Sequence, residues 1–406
     1  MFISEAQKFS RYLGELWECG VSELIVPNGK TSYEYLRMLS LKGLHRKYKV
    51  TKEIKERWEY ELNIISSCKL VWLYLLLWDF INYANEKDII MSPGCGTITG
   101  SLVAYSLGIT DVDPIKYNLL MERFLNQEQE YPSGGVRIEL EKGGCQILFD
   151  YVISKYGNMM LIFLEKLEIS FVDVEELSII SETLKEIADK RKEDIDINEI
   201  DYGDSSVFDF INAHEINDSI LLNGMYNQIF TDEIKIESME DFIARISLAR
   251  PGLEERCSKY ITNKNNPKMI PYKCFELEKI LAPSYGCILY QEQIMQILNS
   301  LGGFSPEQSN SARRGMSKRK NSECERHAFV YGNNGNGIHG CVAKGIRPKI
   351  AEKIFDEMWI SSVYAFNKSH GATLAINLYR MAWLKKYYRE EYLAALEYVE
   401  SGEEEK

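Results

Sequence analysis

DIIMSPGCGTITGSLVAYSLGITDVD, Asp88 to Asp113, carries three kinds of local signal in one segment. Ile89, Ile90 and Met91 read as a short apolar strand, Ser92 to Thr99 as a glycine-bearing loop, and Gly100 to Leu107 as a helix packed through Leu102, Val103 and Leu107. Strand, glycine loop and helix make a phosphate-binding layout. Gly94, Gly96 and Gly100 let backbone N–H groups approach an oxyanion, and Thr97, Thr99 and Ser101 add hydroxyl donors. The helix N-terminus supplies partial positive charge. A tight turn that only joins strand to helix shows the same spacing.

Around this segment lies a chain of 406 residues, long enough for two or three domains, with 45% apolar and 12% aromatic residues. A net charge of -12 argues against a protein that wraps nucleic acid with its whole surface, so cationic sites must be sought segment by segment. Nine scattered cysteines without paired spacing suit a reducing cytosol, and a cytoplasmic protein is expected. The amphipathic N-terminal stretch is not expected to act as a signal peptide, and the apolar run Leu70 to Phe80 is too short to span a bilayer, so no membrane role is expected.

Helical periods cover Glu5 to Cys19, Ser32 to about Gly43, Thr51 to Ser66, Lys69 to Asn85 and Ile115 to Leu125. Val136, Ile138 and Leu140 alternate with Arg137 and Glu139 as a strand, Gln146 to Tyr156 reads as a helix, and Met159 to Phe171 as a further core strand. The acidic stretch Val174 to Asp204 reads as a solvated connection, and Ala372 to Tyr398 as one helix. Against the acidic background, ARRGMSKRK concentrates Arg313, Arg314, Lys318, Arg319 and Lys320, with Lys344, Arg347 and Lys349 beyond it. Such a cluster suits a phosphate-bearing partner. Cys324, His327, His339 and Cys341 flank a glycine-rich turn without a common zinc spacing, and no metal site is expected there.

Two blocks resemble the C-family replicative DNA polymerases of bacteria. RWEYEL (Arg57 to Leu62), SPGCGTITGSLVAYSLGITDVDP and MERFLNQE are similar to that family's palm; PSYGCILYQEQIMQIL, ARRGMSKRK, IAEKIF and FNKSHGATLAINLYRMAWLKKYY are similar to its fingers, and ARPG (Ala249 to Gly252) matches more weakly. The resemblance implies an α+β fold: a polymerase-beta-like nucleotidyltransferase palm over residues 51–250, mainly helical fingers over 251–406, and an N-terminal helical segment over 1–50. In the family, three aspartates hold two Mg²⁺ ions for attack of a primer hydroxyl on a dNTP. Here the first two positions fall on Ser133 and Gly135, or on Gly135 and Arg137, and the third on Ser170.

Glu139 and Glu168 are the nearest replacement carboxylates, with Glu168 sharing a strand face with Ser170 if alternation extends that far. Only Val136 to Ser170 separates the two aspartate places, so the family's thumb is expected to be absent, along with its terminal accessory domains. The glycine loop keeps Gly94, Gly96, Gly100 and Ser101 but has Cys95 for an arginine and Thr97 for a serine. The resemblance therefore implies residual nucleotide binding at Gly94, Gly96, Thr97, Gly100 and Ser101, and DNA or triphosphate contact through Arg313, Arg314, Lys318, Arg319, Lys320, Lys368 and His370.

The leading expectation is a catalytically inactive polymerase core in replication or repair that binds DNA (primer-template or single-stranded), a dNTP or a replication protein. No cofactor is implied unless a site rebuilt from Glu139, Glu168 and Asp173 still binds Mg²⁺ as a working nucleotidyltransferase. A purely protein-binding subunit is the third possibility.

Overall fold

The computed structural model describes residues 25–126, 134–215, 234–320 and 322–402; the helix read over Glu5 to Cys19, and Pro132 and Ser133, lie outside them. The chain divides into two compact units, Met1–Tyr202 with Ile376–Lys406, and Gly203–Ala375. The described part is mainly helical with one small sheet, an α+β arrangement.

In the first unit, α1 (Ser32–Lys47) opens with a capping box in which Thr31 and Glu34 satisfy each other's donors. α2 (Lys52–Ser67) starts at a Thr51 cap, and α3 (Val71–Glu86) is buried on nearly every side, as its continuous apolar run dictates. Instead of ending at Gly43, α1 runs through it to Lys47. The glycine is a contact point: a Cβ there would lie 1.6 Å from the Ser106 carbonyl oxygen of α4 (Leu102–Leu107). A Gly43→Ala protein is expected to lose about 1–3 kcal/mol or more, read by thermal melting, because the two backbones must separate; an unchanged melt would refute this packing role.

β1 (Val136–Leu140) and β2 (Ile169–Asp173) pair in parallel, joined through α5 (Gly144–Tyr156) and α6 (Met159–Lys166). The strand expected over Met159 to Phe171 is thus a helix followed by a short strand. Met, Leu, Glu and Lys favour the helix, and a positive φ of 55° at Glu168 turns the chain into β2. The expected strand Ile89 to Met91 reduces to a single bridge, Met91 to Leu140, and the helix expected over Ile115 to Leu125 is a set of turns ending in one 3₁₀ turn, Met121–Arg123.

The stretch read as a solvated connection folds as α7 (Glu175–Arg191), which buries Leu177, Ile179, Ile180 and Ile187. Its acidic residues occupy the other faces, and net charge concealed the apolar stripe. α7 packs on the C-terminal helix, and Arg191 holds Glu391 with two bonds of 2.7 and 2.9 Å. Past α7, Arg380 donates to Asn198 Oδ1 and the Tyr202 hydroxyl, pinning the rest of that stretch.

The second unit contains α8 (Ser205–Asn212), α9 (Met239–Leu248), α10 (Glu254–Asn265), α11 (Phe275–Leu281), α12 (Gln291–Ser300), α13 (Pro306–Ser317), α14 (Ser322–Tyr331), α15 (Gly340–Ala343) and α16 (Pro348–Ser361). α17 (Lys368–Tyr387) and α18 (Arg389–Ser401) replace the single helix expected over Ala372 to Tyr398, broken where Tyr388 leaves helical geometry at ψ 52°. The segments YQEQ (Tyr290 to Gln293) and FNKSH (Phe366 to His370) dock on each other. Gln291 N–H donates to the Phe366 carbonyl (2.9 Å), Phe366 N–H to the Leu289 carbonyl (2.8 Å), and Lys368 N–H to the Glu292 carboxylate (3.1 Å). No single described helix is long and apolar enough to cross a membrane.

Candidate functional site: the glycine loop and the exposed sheet face

Residues Gly96–Gly100 form a 3₁₀ turn before α4. Cys95 N–H donates to Thr99 Oγ1 (3.1 Å), closing the turn, and burial pushes the Cys95 thiol up to about 12. Gly100 is there for close approach, since a Cβ would come 2.5 Å from the Leu120 carbonyl oxygen; its own carbonyl accepts from Arg57 Nη2 at 2.9 Å. The Ser101 hydroxyl accepts from Ala104 N–H and donates to Glu61 Oε2 (2.8 Å), and Val103 N–H donates to the same oxygen (3.0 Å). Glu61 is fully buried and paired with Arg57 at 3.0 Å.

A protein carboxylate therefore holds the Ser101 hydroxyl and the Val103 N–H at the start of α4, where a phosphate was expected. Gly94 is buried, and Gly100 and Ser101 are engaged within the fold. Gly96, exposed at φ 74°, and half-buried Thr97 remain on the accessible side, where a Cβ added at Gly96 would lie 3.9 Å from the Gly135 carbonyl oxygen and one added at Gly134 would lie 4.0 Å from Thr97 Oγ1. The long-range signal for Glu61 was present as the Arg57–Glu61 spacing, a helical i,i+4 pair.

Next to that edge, the sheet register sets Arg137 opposite Ser170 and Glu139 opposite Val172, all on one face by strand alternation. Arg137 Nε lies 3.1 Å from Glu139 Oε1. Burial raises the Glu139 carboxyl, opposed by Arg137 and the Ser92 hydroxyl, with Glu176 adding to the rise. Asp173 pairs with Leu140 and so belongs to the opposite face; its carboxylate accepts from the N–H groups of Gly143 and Cys145, both at 3.0 Å, at the start of α5.

Glu168 precedes β2 in the left-handed region, so strand alternation does not extend to it. Its backbone leaves no room for a side chain at Gly135, where a Cβ would meet the Glu168 carbonyl oxygen at 2.4 Å. Among the described residues no three His, Cys, Asp or Glu side chains are grouped to hold a metal, the Cys324, His327, His339 and Cys341 set included. Mg²⁺ prefers several oxygen ligands, and one carboxylate paired to an arginine does not fit that requirement.

The cationic candidates separate by burial. Arg313 is 6% exposed and donates to Gln291 Oε1 (3.1 Å) and Asn310 Oδ1 (2.9 Å). Lys368 is 4% exposed and ion-paired to Glu240 at 2.9 Å. Both build the junction between the two docked words. Arg314 is half-buried, Lys318, Arg319 and Lys320 are exposed at the end of α13, and His370 is exposed beside Phe366 with ring centroids 5.8 Å apart. Arg250 and Arg256, more than fifty residues before this cluster, were not legible as partners of the same region.

The model of the bacterial DNA polymerase III alpha NTPase domain matches residues 34–168, and that of the bacterial DNA polymerase III alpha subunit finger domain matches residues 176–337. The DNA polymerase III subunit alpha of Borreliella burgdorferi is 30% identical, over 89% of this chain and 41% of its own length. Those of Staphylococcus epidermidis and Staphylococcus aureus are 26% and 27% identical, over 90% and 89% of this chain and 45% and 44% of their own. The chain thus spans less than half the length of these curated relatives. The alignment with the Borreliella protein runs over 481 positions, more than the 406 residues available, so part of the aligned region of that relative has no counterpart here.

Proposed function

The chain is a bacterial DNA polymerase III alpha-like protein of the C family, and from that premise we propose that it is a replication-type core that engages DNA or nucleotide without joining nucleotides. The observation that carries this reading is the exposed sheet face, where Arg137 stands opposite Ser170 and the one carboxylate, Glu139, is tied to Arg137. Two-metal transfer needs a clamp of carboxylates on the attacking and leaving oxygens. A guanidinium at its centre repels the metals instead.

A thumbless palm is supported by the short α5–α6 connection between β1 and β2, and by the alignment longer than the chain. Gly96 and Thr97 supply the accessible part of a phosphate-facing edge, and Lys318, Arg319 and Lys320 the exposed charge for a nucleic-acid backbone.

Primer extension with a primer-template and all dNTPs in Mg²⁺ and in Mn²⁺ tests the reading. No extension product is expected in either metal. Template-dependent extension that disappears in Glu139→Gln or Glu168→Gln would establish a working nucleotidyltransferase in its place.

A further inference from the structure

Along Trp359 to Phe366, the end of α16 and the turn after it, three aromatic rings each carry an arginine. Arg319 lies over Trp359 at 4.9 Å, Arg256 over Tyr364 at 5.0 Å and Arg250 over Phe366 at 4.9 Å. Each guanidinium is also fixed by a carbonyl of the same segment: Arg319 donates to Trp359 O (2.7 Å), Arg256 to Ile360 O (3.4 Å) and Arg250 to Tyr364 O (2.6 Å).

Their other bonds go to the Ser361 hydroxyl and the Ser247 carbonyl. The donors therefore meet neutral oxygens, and among the described residues none of the three guanidiniums is in an ion pair, although the Glu255 charge acts on Arg256. Burial, then the like charge of Arg256, depresses Arg250. Beside Arg256 opens a cavity of about 230 Å³ whose wall mixes Arg256 and Lys259 with Glu255 and Glu357, the cationic strip lying at its edge through Ile360 and Ser361.

The same strip is apolar where it meets solvent. Ile360 is 58% exposed, Val363 46% and Tyr364 43%. Exposed Lys318 and Lys320 follow α13, whose Ser317 hydroxyl donates to Ser362 O at 3.1 Å. Fixed cations interleaved with open aromatic and aliphatic surface match an unpaired strand, whose phosphates and base faces are both accessible. Duplex hides its base faces in the stack, and an acidic peptide would meet the charges but leave the Tyr364 ring without a planar partner.

We propose that the Trp359–Phe366 strip binds single-stranded nucleic acid, with Tyr364 stacking on an unpaired base and Arg250, Arg256 and Arg319 meeting the phosphates. This deepens the proposed function and rests on its premise that the ligand is nucleic acid.

The test is fluorescence anisotropy of the full chain with a labelled oligo(dT) and with an abasic oligonucleotide of equal length, over a salt series. Wild type should bind oligo(dT) roughly tenfold more tightly than the abasic strand, and Tyr364→Ala should erase that preference while Tyr364→Phe keeps it. Replacing Arg250, Arg256 and Arg319 together with glutamine should lower the slope of log affinity against log salt by about 2. Circular dichroism confirms that each variant is folded; if the triple variant is not, the Tyr364 pair decides.

Equal affinity for the two strands, or an unchanged preference in Tyr364→Ala, overturns the strip. Should Lys318→Gln with Lys320→Gln abolish binding while the strip variants do not, DNA binding stands and the strip falls. Absence of any binding by wild type at low salt overturns the strip and removes single-stranded DNA from the proposed function, whose nucleotide half does not depend on it. A polyglutamate peptide bound as tightly as oligo(dT) would assign the surface to acidic protein segments and refute the nucleic-acid reading.

Discussion

Glu61→Ala is expected to lower the stability of the chain by about 3–5 kcal/mol, the usual cost of removing one partner from a buried ion pair. The alanine would orphan three donors at once: Arg57 Nε, the Ser101 hydroxyl and Val103 N–H, all now within 3.0 Å of the carboxylate. It would also loosen the glycine turn, because Arg57 ties Gly100 O and Leu119 O to the same place. A fall in melting temperature on the order of 10 °C is the readout. Glu61→Gln, which keeps an acceptor for Ser101, should fall less. A melt for Glu61→Ala within a degree of wild type would show that solvent or a bound anion replaces the carboxylate.

A comparable loss, about 3–5 kcal/mol, is expected for Asp241→Ala in the second unit. Asp241 is 2% exposed, is ion-paired to Lys264 Nζ (2.6 Å), and accepts from the Ser238 hydroxyl (3.0 Å), Glu237 N–H (3.1 Å) and the Tyr260 hydroxyl (3.1 Å). Without it, the Lys264 ammonium, 9% exposed, keeps half-exposed Glu237 at 3.1 Å and the Tyr285 ring at 5.7 Å, and the Tyr260 hydroxyl, fully buried, loses its acceptor. Burial first, and then the Asp241 charge, hold that hydroxyl far above the usual phenol range, so it cannot ionise to relieve the loss. Chemical denaturation should show the midpoint shift with an unchanged slope. Equal midpoints for wild type and variant would refute the structural weight given to this carboxylate.

These two carboxylates also show where sequence reading reaches its limit. Glu61 sits in RWEYEL and its i,i+4 arginine is visible, yet its partners Ser101 and Val103 lie forty residues on. Composition did not separate α7 from a linker, because Leu177, Ile180 and Ile187 form a stripe that only the opposing face of α18 makes meaningful. Likewise, a run of cations in ARRGMSKRK does not reveal that Arg313 is buried while Lys318 and Lys320 face solvent. Helical position relative to a neighbour decides that, and the neighbour is remote in sequence.

By itself the sequence determined the family, the α+β class and the all-round burial of α3, since each follows from residue identity and local period, and it raised the expectation that acids are missing at Ser133, Gly135 or Arg137 and at Ser170. Tertiary structure alone decided that Arg137 and Ser170 are ladder partners, that Asp173 turns to the other face, and that Glu61 accepts from the Ser101 hydroxyl and Val103 N–H, where a phosphate was expected. It also gathered Arg250, Arg256 and Arg319 onto one aromatic strip. The physical reason is common to all of them. Register, facing and ion pairing depend on which distant segment fills a space, and no local propensity carries that information.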